Sequence, residues 1–100
     1  MIQAISISTV EEDGLFYATM LEEDHEVCQA CYMRDKTDRV VVIQLDTPVE
    51  YRGNGYARSL LDSIQRQEET SIRVISTDHT VNYYKKLGYT QVSEYIFQHQ

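Results

Sequence analysis

Arg39-Val40-Val41-Val42-Ile43-Gln44-Leu45-Asp46-Thr47-Pro48-Val49-Glu50-Tyr51-Arg52-Gly53-Asn54-Gly55-Tyr56-Ala57 is the stretch from which the rest of this chain is read. Residues 39–45 are its most apolar run, and such a run reads as a central strand. Pro48 has no backbone N–H and ends the ladder. From Gly55 the apolar period changes. Ala57, Leu60, Leu61 and Ile64 fall at i, i+3, i+4 and i+7, one face of a helix running to about Glu68. A buried strand thus passes through a loop with two glycines into an amphipathic helix. The first backbone N–H groups of a helix have no intrahelical partner, and the dipole adds positive potential there. Glycine lets a backbone approach a ligand closely, and Arg52 adds a permanent charge. Together these features make an anion site suited to phosphate or pyrophosphate. The nucleotide loops G-x-x-x-x-G-K-[ST] and G-x-G-x-x-G are both absent.

Upstream, four strands with hairpin connections are expected. Ile2, Ile5 and Ile7 mark the first, which the acidic turn Glu11-Glu12-Asp13-Gly14 ends. Residues 15–21 and the Cys-bearing residues 26–33 read as the second and third, and 39–45 as the fourth. Downstream, residues 72–75 make a short strand, and Asp78 or Thr80 caps a second helix with Val81, Tyr84 and Leu87 on one side. Gly88 supplies a left-handed C-terminal cap with Tyr89 beside it, and a last strand runs from about residue 89 to 97. The expected class is α+β: a mixed sheet of antiparallel strands followed by β-α-β-α-β, with helices packed on it.

One hundred residues with one proline and four glycines leave room for a single domain, 1–100, with no linker. No apolar run is long enough to span a membrane, and the N-terminus lacks signal-peptide features, so a cytoplasmic location is expected. The net charge of -7 disfavours binding to nucleic acid and suits a cationic partner. The acids at Glu11, Glu12, Asp13, Glu22, Glu23, Asp24 and Glu26 are equally explained as solvated turns. Cys28 and Cys31 form a lone C-x-x-C without the further ligands a zinc site needs, and His25, His79 and His99 are scattered. On a strand, residues three apart point to opposite faces, so two ordinary thiols and no metal are expected.

Arg52-x-x-Gly55-x-Ala57 resembles the R/Q-x-x-G-x-G/A signature of the GNAT superfamily of acetyltransferases, here too between an apolar strand and an amphipathic helix. Asn82-Tyr83-Tyr84-Lys85-Lys86-Leu87-Gly88-Tyr89 resembles the family's F-Y-x-K-x-G-F/Y segment. The two matches lie within residues 38–89, about half the chain. The resemblance implies an N-acetyltransferase that moves an acetyl group from acetyl-coenzyme A to a primary amine of a small molecule or protein. It implies that amides of Arg52, Gly53, Asn54, Gly55, Tyr56 and Ala57 hold the pyrophosphate, with Arg58 as a further contact. Leu45, Asp46 and Thr47 would bind the pantetheine arm, and the thioester would lie between that strand and residues 72–76. Tyr84 matches the tyrosine that protonates the leaving thiolate, or is a core aromatic, and Tyr83 matches a packing aromatic.

Two departures stand out. Where relatives place a Glu or His base, this chain has Val40, Val41, Val42 and Ile43. Asp46 and Glu50 are the nearest carboxylates, with Asp46 the candidate base; water-relayed deprotonation, or a strand-ending role for Asp46, are the alternatives. The two helices that the family inserts after its first strand have no room in residues 9–14. The acceptor site is then open, or completed by a second copy in a homodimer. The competing function is a non-catalytic acetyl-coenzyme A sensor of the same fold.

Overall fold

The computed structural model describes residues 5–77 and 80–98. The expectations for Ile2, Asp78, His79 and His99 lie outside those residues. Four antiparallel strands come first: β1 (Ile5–Glu12), β2 (Leu15–Glu22), β3 (His25–Arg34) and β4 (Val40–Asp46). Tight turns with positive φ join β1 to β2 at Asp13 and Gly14, and β2 to β3 at Glu23 and Asp24. No helix intervenes between β1 and β2, as the sequence led us to expect. A 3-10 turn (Val49–Tyr51) leads to α1 (Tyr56–Glu68), β5 (Ile72–Ile75), α2 (Val81–Lys86), β6 (Thr90–Gln91) and β7 (Ile96–Gln98). Among the described residues, seven strands form one sheet in the order β1-β2-β3-β4-β5-β7-β6, in which only β4 and β5 run parallel.

α1 buries Leu60, Leu61 and Ile64 against Ala18, Met20, Ala30, Tyr32 and Val42 of the sheet. Each such side chain taken from water contributes about 2 kcal/mol, and this apolar stripe holds the helix to the sheet. α2 packs on the same face through Tyr84, whose ring lies 5.9 Å from that of Phe97. Gly88, at φ 91°, closes α2 as its sequence suggested. Its N–H donates to Lys85 O at 3.1 Å, and the Tyr89 N–H donates to Tyr84 O at 3.1 Å. This paired bond satisfies carbonyls that the helix end leaves open.

The segment expected to be one closing strand is two. β6 and β7 pair with each other antiparallel, Thr90 opposite Gln98 and Gln91 opposite Phe97. The chain reverses between them, and the Val92 N–H donates to Ile96 O at 2.9 Å. Ser93 and Glu94 at the tip are turn-forming residues that break the strand pattern. Among the described residues no helix is long and apolar enough to cross a membrane.

Candidate active site

β4 pairs with β3 from Val40 to Asp46, but with β5 only from Val40 to Val42. Past that point β5 ends, and Ser76 turns away to donate its N–H to Tyr95 O at 2.7 Å. Among the described residues, the edge of β4 from Ile43 to Asp46 therefore has no strand on its β5 side. Backbone groups along that edge are left for another partner. A cleft opens there between two parallel strands.

A bulge decides which side chains face the cleft from each side. In the β3–β4 register Tyr32 opposes Val42 and Cys31 opposes Gln44, leaving Ile43 unpaired. Strict alternation from Val42 would put Gln44 and Asp46 on the helix face. The extra residue reverses it, so Leu45 packs on the core while Gln44 and Asp46 are exposed on the opposite face. Asp46 and Tyr84 thus stand on opposite faces of the sheet, at the same open end of β4. Glu50, the other carboxylate named from sequence, is exposed on the 3-10 turn and does not line the cavity.

Beyond Asp46 the loop is braced from within. Arg52 Nε donates to Thr47 O at 2.9 Å, and Asn54 Nδ2 donates to Tyr51 O at 3.1 Å. Gly53 and Gly55 sit at φ 85° and 79°, where side-chain-bearing residues are strained. Gly55 is the N-cap of α1 and offers no side chain to cap it. The first turn opens with Ser59 N–H to Gly55 O at 3.0 Å. The amides of Tyr56, Ala57 and Arg58 precede it and have no acceptor within the helix. Arg52 and Arg58 are exposed beside them. The Tyr56 hydroxyl donates to Glu22, tying the start of α1 to the end of β2.

These features open into one cavity of about 700 Å³, lined by Leu45, Asp46 and Thr47, by Tyr51, Arg52, Gly53, Gly55, Tyr56, Ala57 and Arg58, and by Thr80, Tyr83, Tyr84 and Leu87. The candidate catalytic and cofactor-holding residues line it except Asn54, which braces the loop instead, while residues 72–76, expected to flank the thioester, do not line it. Sequence reading missed Tyr51, Thr80 and Leu87 as lining residues. It also took Tyr83 for a packing aromatic, whereas Tyr83 is 38% exposed and faces the cavity. The one available signal was the helical spacing of Thr80, Tyr83, Tyr84 and Leu87 along one side of α2.

Tyr84 is buried, with rings of Tyr83 at 5.4 Å and Tyr89 at 5.8 Å. Burial pushes its phenol up to about 12, with smaller contributions from Tyr83 and Cys28. It is therefore a proton-bearing group at neutral pH. Cys28 and Cys31 are both free and buried. Their strand partners put them on opposite faces: Cys28 beside Met20 of the core, Cys31 beside Tyr17 and Gln44. Burial raises the Cys28 thiol, and its Sγ lies 3.3 Å from Thr47 Oγ1.

The sequence matches the model of the acetyltransferase (GNAT) domain over residues 5–99. The chain belongs to the GNAT family of acetyltransferases. Solved GNAT folds agree with the architecture. A Lactobacillus plantarum protein assigned to the N-acetyltransferases superposes with TM-score 0.75 at 18% identity, covering 90% of this chain and 71% of that one. The PaiA N-acetyltransferase of Thermoplasma acidophilum, in complex with coenzyme A, gives 0.70 at 12%, covering 87% and 61%. Arabidopsis thaliana Naa50, in complex with the bisubstrate analogue CoA-Ac-MVNAL, gives 0.62 at 20%, covering 84% and 72%. At these identities the likeness is one of fold. No curated protein matches the sequence significantly. Within this GNAT fold, the split between β4 and β5 and the open N-terminus of α1 meet in one cavity.

Proposed function

We propose that this GNAT protein transfers an acetyl group from acetyl-coenzyme A to a primary amine. The observation that carries the reading is the single cavity that joins three features: uncapped amides at the start of α1, the free edge of β4, and the buried phenol of Tyr84. The complexes of PaiA with coenzyme A and of Naa50 with a bisubstrate analogue support it.

The residues present suit an acyl-coenzyme A. Amides of Arg52 to Ala57, with the Arg58 guanidinium, would hold the pyrophosphate by charge-assisted bonds. The unpaired backbone of Leu45, Asp46 and Thr47 would take the amide-bearing arm as a partial strand. When bound, acetyl-coenzyme A supplies an activated thioester. The chain's own part is then to orient that thioester in the cleft and to manage two protons. Tyr84 Oη holds the proton for the departing thiolate, and burial among aromatic rings keeps it on the phenol. Asp46, on the far face, takes the proton from the amine directly or through water.

The sensor reading draws on a specific observation: β4 brings Val40, Val42 and Leu45 to the core face, and no titratable group among them. Two measurements separate the readings. Calorimetry with acetyl-coenzyme A, desulfo-coenzyme A and ATP tests the cofactor: both coenzyme A species should saturate, with little heat from ATP. An amine screen following thiol release tests turnover. Binding without release above hydrolysis for any acceptor would favour the sensor, and no binding would reject both.

A further inference from the structure

The two faces of the sheet are covered unequally. Both described helices pack on the face that carries Ala18, Ala30, Val42 and Val74. The opposite face carries no described helix, yet it is not polar. At the mouth of the cleft Ile43 is 37% exposed and Ile75 43% exposed. Each directly follows the last paired residues of β4 and β5, Val42 and Val74, where the two strands part. Ile96 stands opposite Ile75 and extends the apolar strip across β7. Bulky aliphatic groups clustered on an open sheet face indicate a surface that is covered in use.

Charge on the same face selects the occupant. The strand registers put Glu12, Glu26 and Asp46 there, Glu12 beside Leu15, Glu26 beside Leu21, and Asp46 beside Gln29. Arg73, a basic residue on it, donates its Nε to Gln98 Oε1 at 3.2 Å. A second copy would bring the same carboxylates against their own kind, in a chain whose net charge is -7. A small polyamine would satisfy the carboxylates but leave Ile43 and Ile75 in water.

We infer that the acceptor is a polypeptide segment with a lysine flanked by aliphatic residues, docked on this helix-free face. Its aliphatic side chains cover Ile43, Ile75 and Ile96, and the lysine reaches past Asp46 into the cleft. This rests on the acetyl-transfer reading for the fate of the lysine; the docking itself does not.

The test uses three fluorescein-labelled peptides: one lysine flanked by leucines, the same lysine flanked by serines, and the leucine peptide with glutamate for lysine. Anisotropy titrations are run against the full chain and against an Ile43→Ser/Ile75→Ser variant, whose changes are at exposed positions and spare the core. The leucine–lysine peptide should bind about tenfold more tightly than either comparator. The double variant should lose that preference while keeping its affinity for acetyl-coenzyme A. Equal binding of the serine and leucine peptides, or full displacement by spermidine, would overturn the inference in favour of a small cation. Concentration-dependent dimerisation that the double variant abolishes, with no peptide bound, would overturn it in favour of a second copy. If peptides discriminate as expected but acetyl-coenzyme A does not bind, the docking stands and the acetyl-transfer reading fails.

Discussion

At its α1 end the cavity is lined by a short contiguous loop that runs into the uncapped start of a helix. At its other end it is lined by Asp46 and Tyr84, which come from separate elements and stand on opposite faces of one sheet. The first end is built by local rules. Glycine at positive φ, an N-cap without a side chain, and the Arg52 and Asn54 braces all act within a few residues. The second depends on where β4 and β5 part and on a one-residue bulge in β4 itself. A site of this kind separates ligand holding from proton handling, and the two should fail separately.

The largest expected effect tests the side-chain end. Tyr84→Phe keeps the ring contacts with Tyr83, Tyr89 and Phe97 and removes only the proton donor. Turnover at saturating substrates should fall by about a hundredfold, with calorimetric affinity for acetyl-coenzyme A unchanged. Unchanged turnover would make Tyr84 a packing residue and leave the cleft end without an acid.

Next comes the backbone end. Nothing stands within 4 Å of a Cβ placed at Gly55, so the demand there is conformational: φ is 79°. Gly55→Val forces a β-branched residue into that region at about 2 kcal/mol, or roughly thirtyfold in acetyl-coenzyme A affinity. Gly55→Asn, which tolerates the left-handed region, should recover most of it. If both variants bind equally poorly while circular dichroism shows α1 intact, crowding of the ligand would replace conformation as the reason for glycine.

A smaller effect asks what Arg52 does. The sequence suggests a charge beside a phosphate, whereas its Nε is bonded to Thr47 O. A brace of this sort contributes about 1 kcal/mol, near fivefold in affinity. Arg52→Lys keeps the charge but lacks the planar fork. It should bind acetyl-coenzyme A about as weakly as Arg52→Ala. Near-normal binding by the lysine variant would return Arg52 to the role of phosphate charge.

The sequence carried the fold well where periodicity is long and caps are local. The 39–45 run, the Ala57-Leu60-Leu61-Ile64 stripe and the Gly88-Tyr89 ending all formed the expected elements. It carried the backbone end of the site for the same reason. Sidedness was out of reach. Counting by twos along β4 places Asp46 with Val42, and only the pairing with β3 reveals the bulge that turns it over. The reversal between β6 and β7 was hidden because apolar residues recur on both sides of it and no glycine or proline marks the turn at 93–95.

The smallest expected effect is an absence of change. Burial among Tyr83, Tyr89 and Phe97 disfavours the phenolate of Tyr84 and moves its titration up to about 12 from the ordinary tyrosine value near 10. The folded protein thus holds the proton on Tyr84 where an unfolded chain begins to lose it. Its contribution to stability is complete below the ordinary value and is lost as pH rises toward the raised one. For catalysis the same shift means that Tyr84 cannot produce a falling limb in the neutral to mildly alkaline range. The acceptor amine titrates there too, so the informative quantity is the ratio of turnover numbers for the unchanged protein and Tyr84→Phe at each pH. That ratio should stay flat from neutrality to about pH 10, because the amine's ionisation cancels between the two proteins. A ratio that falls within that range would mean the phenol ionises early, through a cation or water drawn in beside it. The aromatic surround seen here would then be open during turnover, and the two ends of the cavity would be coupled by motion.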